Sequence, residues 1–211
     1  MSEKPSLRVA SLLASRLCHD LVGPLGAVDN GLELMADGGG MADEALALAR
    51  RSSKRATGRL QFFRFAFGAA GADPKFGAAE ARPLAQGFLQ NADIALEWLP
   101  PGGEPVPAGT GQLLLNLLLL AVECLPRGGR IEVGVRARRL AVDSTGPQAR
   151  MTPEVKSALL GSTPLSDLTA RTIVGYFAAQ LAAGLGGRLE VVEASPDRVR
   201  MQTALGPLRP F

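Results

Sequence analysis

Residues 37–40 read Asp-Gly-Gly-Gly, and this helix-breaking run stands between two long apolar seams. Before it, apolar or small residues recur at Leu7, Ala10, Ala14, Leu17, Leu21, Leu25, Val28, Leu32 and Met35. That three-four spacing is the signature of one long helix with a buried seam. After the break, Asp43 is placed to cap a second helix, along which Leu46, Ala49, Ser53, Ala56, Leu60, Phe63 and Phe67 repeat at coiled-coil spacing. So short a connection makes the two helices an antiparallel hairpin. A single hairpin cannot cover both sides of its own seam. Pairing with a second copy into a four-helix bundle is the simple remedy, so a homodimer is expected.

The single histidine, His19, belongs to the first helix. At about 100° per residue it lies roughly 200° from Leu17 and Leu21, turned away from the seam. Ser15, Arg16, Gly23 and Gly26 share its face. Glycines inside a helix cost about 1 kcal/mol each relative to alanine, and Pro24 removes a backbone donor and crowds the preceding turn. Such a face is built for close approach rather than for stability. Ser15, Gly23, Pro24 and Gly26 leave room for another protein's backbone beside the ring. Arg16 can hold an anion near it, and Asp20 can fix its tautomer by accepting from one ring nitrogen. The plainer alternative is that Gly23-Pro24 ends one helix and a second begins.

Composition narrows the remaining classes. The longest apolar stretch, Leu113 to Leu125, is interrupted by Asn116 and Glu123 and is too short to span a bilayer. The first residues lack the apolar core of a signal peptide. Cys18 and Cys124 show no metal-ligand spacing and form no disulfide framework. The expectation is a cytoplasmic protein with no metal of its own and no membrane contact. The second helix gathers Arg50, Arg51, Lys54, Arg55, Arg59 and Arg64 on one side, in a chain of net charge +3. A run of one sign is a solvated face, or a surface for an acidic partner or nucleic acid.

The stretch from Gly68 to Gly77, rich in Gly and Ala, is the best boundary, dividing the chain into 1–73 and 74–211. Beyond it, helices are expected at Leu84–Asn91, Gly111–Leu125, Thr152–Leu160 and from Asp167 or Thr169 to about Gly184. Strands are expected at Ile94–Leu99, Arg130–Arg136, Arg138–Asp143, Arg188–Glu193 and Arg198–Ala204. Helices grouped with strand pairs make a two-layer α/β sandwich, so the fold class is α+β.

This order of parts resembles the dimerisation and ATPase (Bergerat) halves of a sensor histidine kinase. The run Leu113 to Leu120, followed by Gly128-Gly129-Arg130-Ile131-Glu132-Val133, is similar to the kinase N-box helix and strand. A kinase needs a second asparagine where Leu120 stands. Asp143-Ser144-Thr145-Gly146-Pro147 lies at the first glycine box, with its glycine pattern spoiled by Thr145. The second glycine box and ATP lid are missing between Gly161 and Ala170, while Gly186-Gly187-Arg188-Leu189-Glu190-Val191 matches the final turn of that fold.

The stretches Leu17 to Glu33 and Ala170 to Phe177 resemble the ChpT-type histidine phosphotransferases of alphaproteobacterial phosphorelays. The resemblance implies that His19 is the phosphoacceptor, with Asp20, Gly23 and Pro24 completing its motif. It implies partners too: the receiver domain of a hybrid histidine kinase and the receivers of response regulators. That family usually has serine where Gly23 stands, so hydrolysis should yield to transfer. Phosphoryl transfer needs an in-line nucleophile and cations. A neutral imidazole supplies the first, and Mg2+ and aspartyl phosphate would come from the receiver, so no cofactor need be bound here. Three alternatives stay open: an ATP-dependent histidine kinase, a nucleic-acid-binding protein, and a non-catalytic adaptor.

Overall fold

The computed structural model describes residues 5–37, 41–90, 92–100, 102, 106–136, 138–195 and 197–206. Helix α1, Pro5–Ala36, runs unbroken through Pro24 and returns as α2, Ala42–Ala66. The glycines between them lie outside the described residues. A 3-10 turn, Ala69–Ala72, leads to α3 (Ala78–Leu89), β1 (Ile94–Trp98), α4 (Thr110–Glu123), β2 (Gly129–Arg136) and β3 (Arg139–Thr145). After α5 (Pro153–Leu159) and a 3-10 turn, Leu165–Asp167, come α6 (Ile173–Gly184), β4 (Glu190–Ser195) and β5 (Arg198–Ala204). The order is the expected one. Helix α3 begins ahead of Leu84, because Glu80 accepts from the Gly77 N–H at 3.0 Å and closes its first turn early. Asn91, expected as its last residue, lies outside the described residues.

The sheet runs β1-β2-β3-β5-β4, with β1 parallel to β2 and the other pairs antiparallel. Gly128 and Gly129, both at positive φ, turn the chain from α4 into β2, a conformation costly to other residues. Ile131, Val133, Leu140, Val142, Val199 and Met201 alternate inward along their strands into the buried cluster that contains α4. Residues 110–121 of α4 are buried all round, between the sheet on one side and α2, α3 and α6 on the other. A helix with no polar face belongs at the centre of a sandwich.

The two seams of the hairpin divide differently from their spacing. Leu21 and Gly31 are the buried positions of α1, and Leu17, Val28 and Met35 are half-buried, whereas Leu7, Leu25 and Leu32 stand exposed together with Val22. A Cβ on Gly31 would meet the Ala45 carbonyl oxygen and the Ala49 Cβ at 3.0 Å, so glycine there sets how closely the helices approach. On α2, Ala49, Ala56 and Phe63 are buried while Leu46, Ser53 and Leu60 are exposed. The residues read as one seam therefore form two apolar edges, one facing the partner helix and one open. Nor does Asp43 cap α2. Met41 takes that position without a side-chain bond, and Asp43 and Glu44 lie in the first turn, where the helix dipole favours acids.

The end of α2 departs furthest from a coiled-coil strand. Phe62 stacks on Phe88 of α3 at 4.2 Å, Phe63 packs edge-on to Phe88 at 6.0 Å, and Phe67 meets Phe177 of α6 at 6.2 Å. Phe62, Phe63 and Ala66 belong to the same buried cluster as α4 and the sheet. Phe63 and Phe67 thus join the hairpin to the sandwich. Gln112 and Asn116 of α4 complete the joint by donating to the Ala66 carbonyl, Asn116 Nδ2 at 2.8 Å.

Candidate functional site

His19 projects from α1 with its side chain 82% exposed. Its Nδ1 lies 3.2 Å from Asp20 Oδ1. A carboxylate only accepts, so Nδ1 carries the hydrogen and the lone pair of Nε2 is free. The other Asp20 oxygen accepts from Arg16 Nε at 2.9 Å, one helical turn back. Arg16 also reaches the sandwich, with its Nη2 2.5 Å from Glu123 Oε1 at the end of α4.

Pro24 bears directly on this arrangement. Lacking an N–H, it leaves the Asp20 carbonyl without its i+4 helical donor. The guanidinium of Arg59 on α2 takes that place, donating to the Asp20 oxygen at 3.0 Å. The same group lies over the Phe88 ring at 5.3 Å. Burial, then the like charge of Arg55, depresses its basicity below the ordinary arginine range. This contact fixes the register of the two helices and sets Arg59, of the basic run on α2, beside the histidine turn.

Ser15, Arg16 and His19 of α1 face Glu123, Ala170 and Arg171 of the sandwich across a cleft of about 570 Å³. A Cβ on Gly23 or Gly26 would find nothing within 4 Å, so that stretch is open beyond the ring. Pro24 is half-buried. Arg16, read from sequence as a free anion-holding cation, is only 13% exposed and engaged by two carboxylates. Burial alone would lower its basicity, but Glu123 and Asp20 outweigh it and raise it. Glu123 and Arg171 were not singled out from sequence. Glu123 is the one acid in the apolar stretch 113–125, and Arg171 lies inside the second resembling segment, so each carried a faint signal.

Farther along α1, Arg8 donates to three carbonyls of the segment after α5: Leu165 at 2.8 Å, Ser166 at 2.6 Å and Leu168 at 3.1 Å. Val9, Leu12 and Leu13, between Arg8 and Arg16, and Leu17 just beyond them pack against the buried cluster that includes α4 and the sheet. The N-terminal half of α1 is therefore docked, and the cleft has fixed walls.

The region that would hold a nucleotide in a kinase is differently used. Leu120 is fully buried. Asn116 spends its amide on the Ala66 and Gln112 carbonyls. Ser144 faces α4, donating to the Ala121 carbonyl at 3.3 Å, so Asp143 points to the other face of the sheet. There it accepts from Arg198 at 2.9 Å and pairs with Arg200 at 3.3 Å. Among the described residues, no three His, Cys, Asp or Glu side chains gather where they could hold a metal, and no helix is long and apolar enough to cross a membrane.

The chain is similar to known proteins over most of its length. Residues 78–197 match the family model of the histidine phosphotransferase C-terminal domain. The chain is 34% identical over 201 residues to the protein phosphotransferase ChpT of Brucella abortus, covering 92% of this chain and 94% of that one. A solved bacterial phosphotransferase superposes with a TM-score of 0.82 at 30% identity, over 96% of this chain and 98% of the other. The histidine kinase domain of the blue-light-activated kinase EL346 from Erythrobacter litoralis aligns at 17% identity with a TM-score of 0.47, over 90% of this chain and 95% of that one.

Proposed function

The chain belongs to the ChpT-type histidine phosphotransferase family, and from that premise we propose that it relays a phosphoryl group through His19 between receiver domains, without binding ATP. The donor would be the receiver of a hybrid histidine kinase and the acceptors those of response regulators, in the cytoplasm. The observation that carries this reading is one exposed imidazole, oriented by Asp20 at 3.2 Å, on the rim of a cleft with two protein walls.

The chemistry needs little more from this chain. Nε2 attacks the phosphorus of the receiver's aspartyl phosphate in line. The N–P bond forms as the P–O bond to the acyl oxygen breaks, and the receiver's aspartate leaves as a carboxylate. Nδ1 keeps its hydrogen throughout, so no proton need move. The ring becomes cationic, and the Asp20 carboxylate stabilises that charge. Mg2+ held by the partner receiver would neutralise the phosphoryl oxygens. Gly23 offers no amide or hydroxyl to orient water at i+4, which favours transfer over hydrolysis.

The absence of ATP chemistry is supported by the side chains that would have to serve it. Leu120 is hydrocarbon, Asn116 is occupied at the end of α2, and Asp143 is committed to two arginines. These residues do not fit a magnesium–nucleotide complex.

In this reading the hairpin, residues 1–73, is the dimerisation and phosphotransfer unit. The receiver would meet it along Ser15, Gly23, Pro24 and Gly26 of α1, and the remainder, 74–211, would add a second docking surface. The homodimer is supported by the open apolar edge: Val22 is 69% exposed, and Leu7, Leu25, Leu32 and Leu60 also face outward. Covering each such side chain is worth about 1.5–3 kcal/mol. Leu25→Glu is expected to give a folded monomer at micromolar concentration, where sedimentation finds a dimer of the unaltered chain. An unaltered chain that sediments as a monomer would remove the bundle from this reading.

The central test mixes the full chain with a receiver domain labelled as its aspartyl phosphate. Acid-labile, base-stable label on His19 is expected. A chain that takes up no label is an adaptor.

A further inference from the structure

Resting on the phosphotransfer reading above, we infer that Glu123 is a positioning residue for that reaction, acting on His19 through Arg16 and Asp20 from the opposite wall of the cleft. The contacts form an unbroken series. His19 Nδ1 lies 3.2 Å from Asp20, Asp20 lies 2.9 Å from Arg16 Nε, and Arg16 Nη2 lies 2.5 Å from Glu123. The first three residues sit on α1 and the fourth on α4, so the series is complete only because the sandwich is docked.

Electrostatics gives the fourth member its purpose. Transfer makes the imidazole ring cationic, and a negative Asp20 stabilises it. Arg16, paired with Asp20 one turn away, would by itself cancel that charge as seen from the ring. Glu123 pairs with a different nitrogen of the same guanidinium and returns the trio to a net charge of one negative. Arg16 can then hold the Asp20 carboxylate in place without neutralising it. Among the described residues, two further cations lie near this series: Arg59 of α2, bound to the Asp20 carbonyl, and Arg171 on the rim of the cleft ahead of α6. Without Glu123, Asp20 would be the one acid left in the series beside Arg16.

Glu123 is half-buried. Burial pushes its carboxyl above the ordinary carboxylate range, against the pull of Arg16. An acid kept in such a place has a function beyond solvation, and an ordinary bridge between two elements is the competing account. The two accounts differ in sign. A bridge fails in the same direction whichever partner is removed. A charge relay fails in opposite directions, because Glu123→Gln makes the surroundings of the ring more positive and Arg16→Met makes them more negative.

The single imidazole makes this measurable in the full chain, by nitrogen-15 NMR titration of His19. Removing one charge of this series, in surroundings between protein and water, moves the protonation midpoint by roughly half a pH unit. Relative to the unaltered protein, Glu123→Gln is expected to lower the midpoint and Arg16→Met to raise it, with the double variant between them. Phosphate uptake at saturating receiver slows about threefold in Glu123→Gln, at an unchanged half-saturating receiver concentration. Shifts of the same sign in the two variants, or shifts below about 0.1 pH unit in both, overturn the inference. If the unaltered protein takes up no phosphate, the phosphotransfer reading fails instead, and that result is separate from the titration.

Discussion

Replacing His19 by alanine is expected to leave a folded protein that takes up no phosphate. The side chain is 82% exposed, and its polar contact is with the neighbouring Asp20. Truncating such a residue changes stability by no more than about 0.5 kcal/mol, or a degree or two in melting temperature for a chain of this size. Transfer, by contrast, loses its nucleophile. The cleft offers no second imidazole, since the sequence contains none. Uptake from a labelled phosphoreceiver should fall by more than about a thousandfold. Label appearing on the alanine variant at a measurable rate would place the acceptor elsewhere.

The largest loss of stability is expected from Phe62→Ala. Phe62 is fully buried, stacked on Phe88 at 4.2 Å and edge-on to Phe63 at 5.7 Å. Removing its ring costs the transfer free energy of the lost atoms and leaves a cavity between two elements that cannot close on it, about 3–5 kcal/mol in all. For a chain of this length that lowers the melting temperature by roughly 10 °C. A drop below about 3 °C would mean that the joint repacks, and that hairpin and sandwich hold together by other contacts.

These two residues also mark how far the sequence could be read. His19 was legible because its phase against Leu17 and Leu21 is a local quantity, fixed by helical geometry alone. The elements were legible for the same reason: alternation along β2 and β5, Thr152-Pro153 opening α5, and the glycines that follow α4. Phe62 was not legible. It falls beside the three-four series that includes Phe63, and its burial comes from Phe88, which no spacing within α2 reveals. Leu25 and Leu21 were read as one seam because both fit the period, yet only Leu21 reaches the neighbouring helix. Spacing finds apolar positions without telling which of two adjacent faces each one covers. The sequence alone makes Arg16 a cation able to hold an anion near the ring, and Arg59 one of a basic run that is either solvated or turned to an acidic partner. Their partners, Glu123 and the Asp20 carbonyl, depend on tertiary register. The carbonyl freed by Pro24 was implicit in the sequence, and the side chain that satisfies it was not.

The aromatic joint gives the molecule an indivisible character. Phe62, Phe63 and Ala66 share one cluster with the interior of the sandwich, so there is no seam along which the two parts could separate. A nick in the Gly-Ala connector after α2 would leave two pieces still clasped together, and a fragment ending near Asp73 would present bare phenyl rings to water. Heating should therefore reveal one cooperative transition, with the fluorescence of the lone tryptophan, Trp98 on β1, changing in step with the helical signal dominated by the hairpin. In a molecule melting as a single body, damage far from His19 reaches it by loss of the folded population. Lesions deep in the sandwich would then silence the relay as thoroughly as lesions at the cleft.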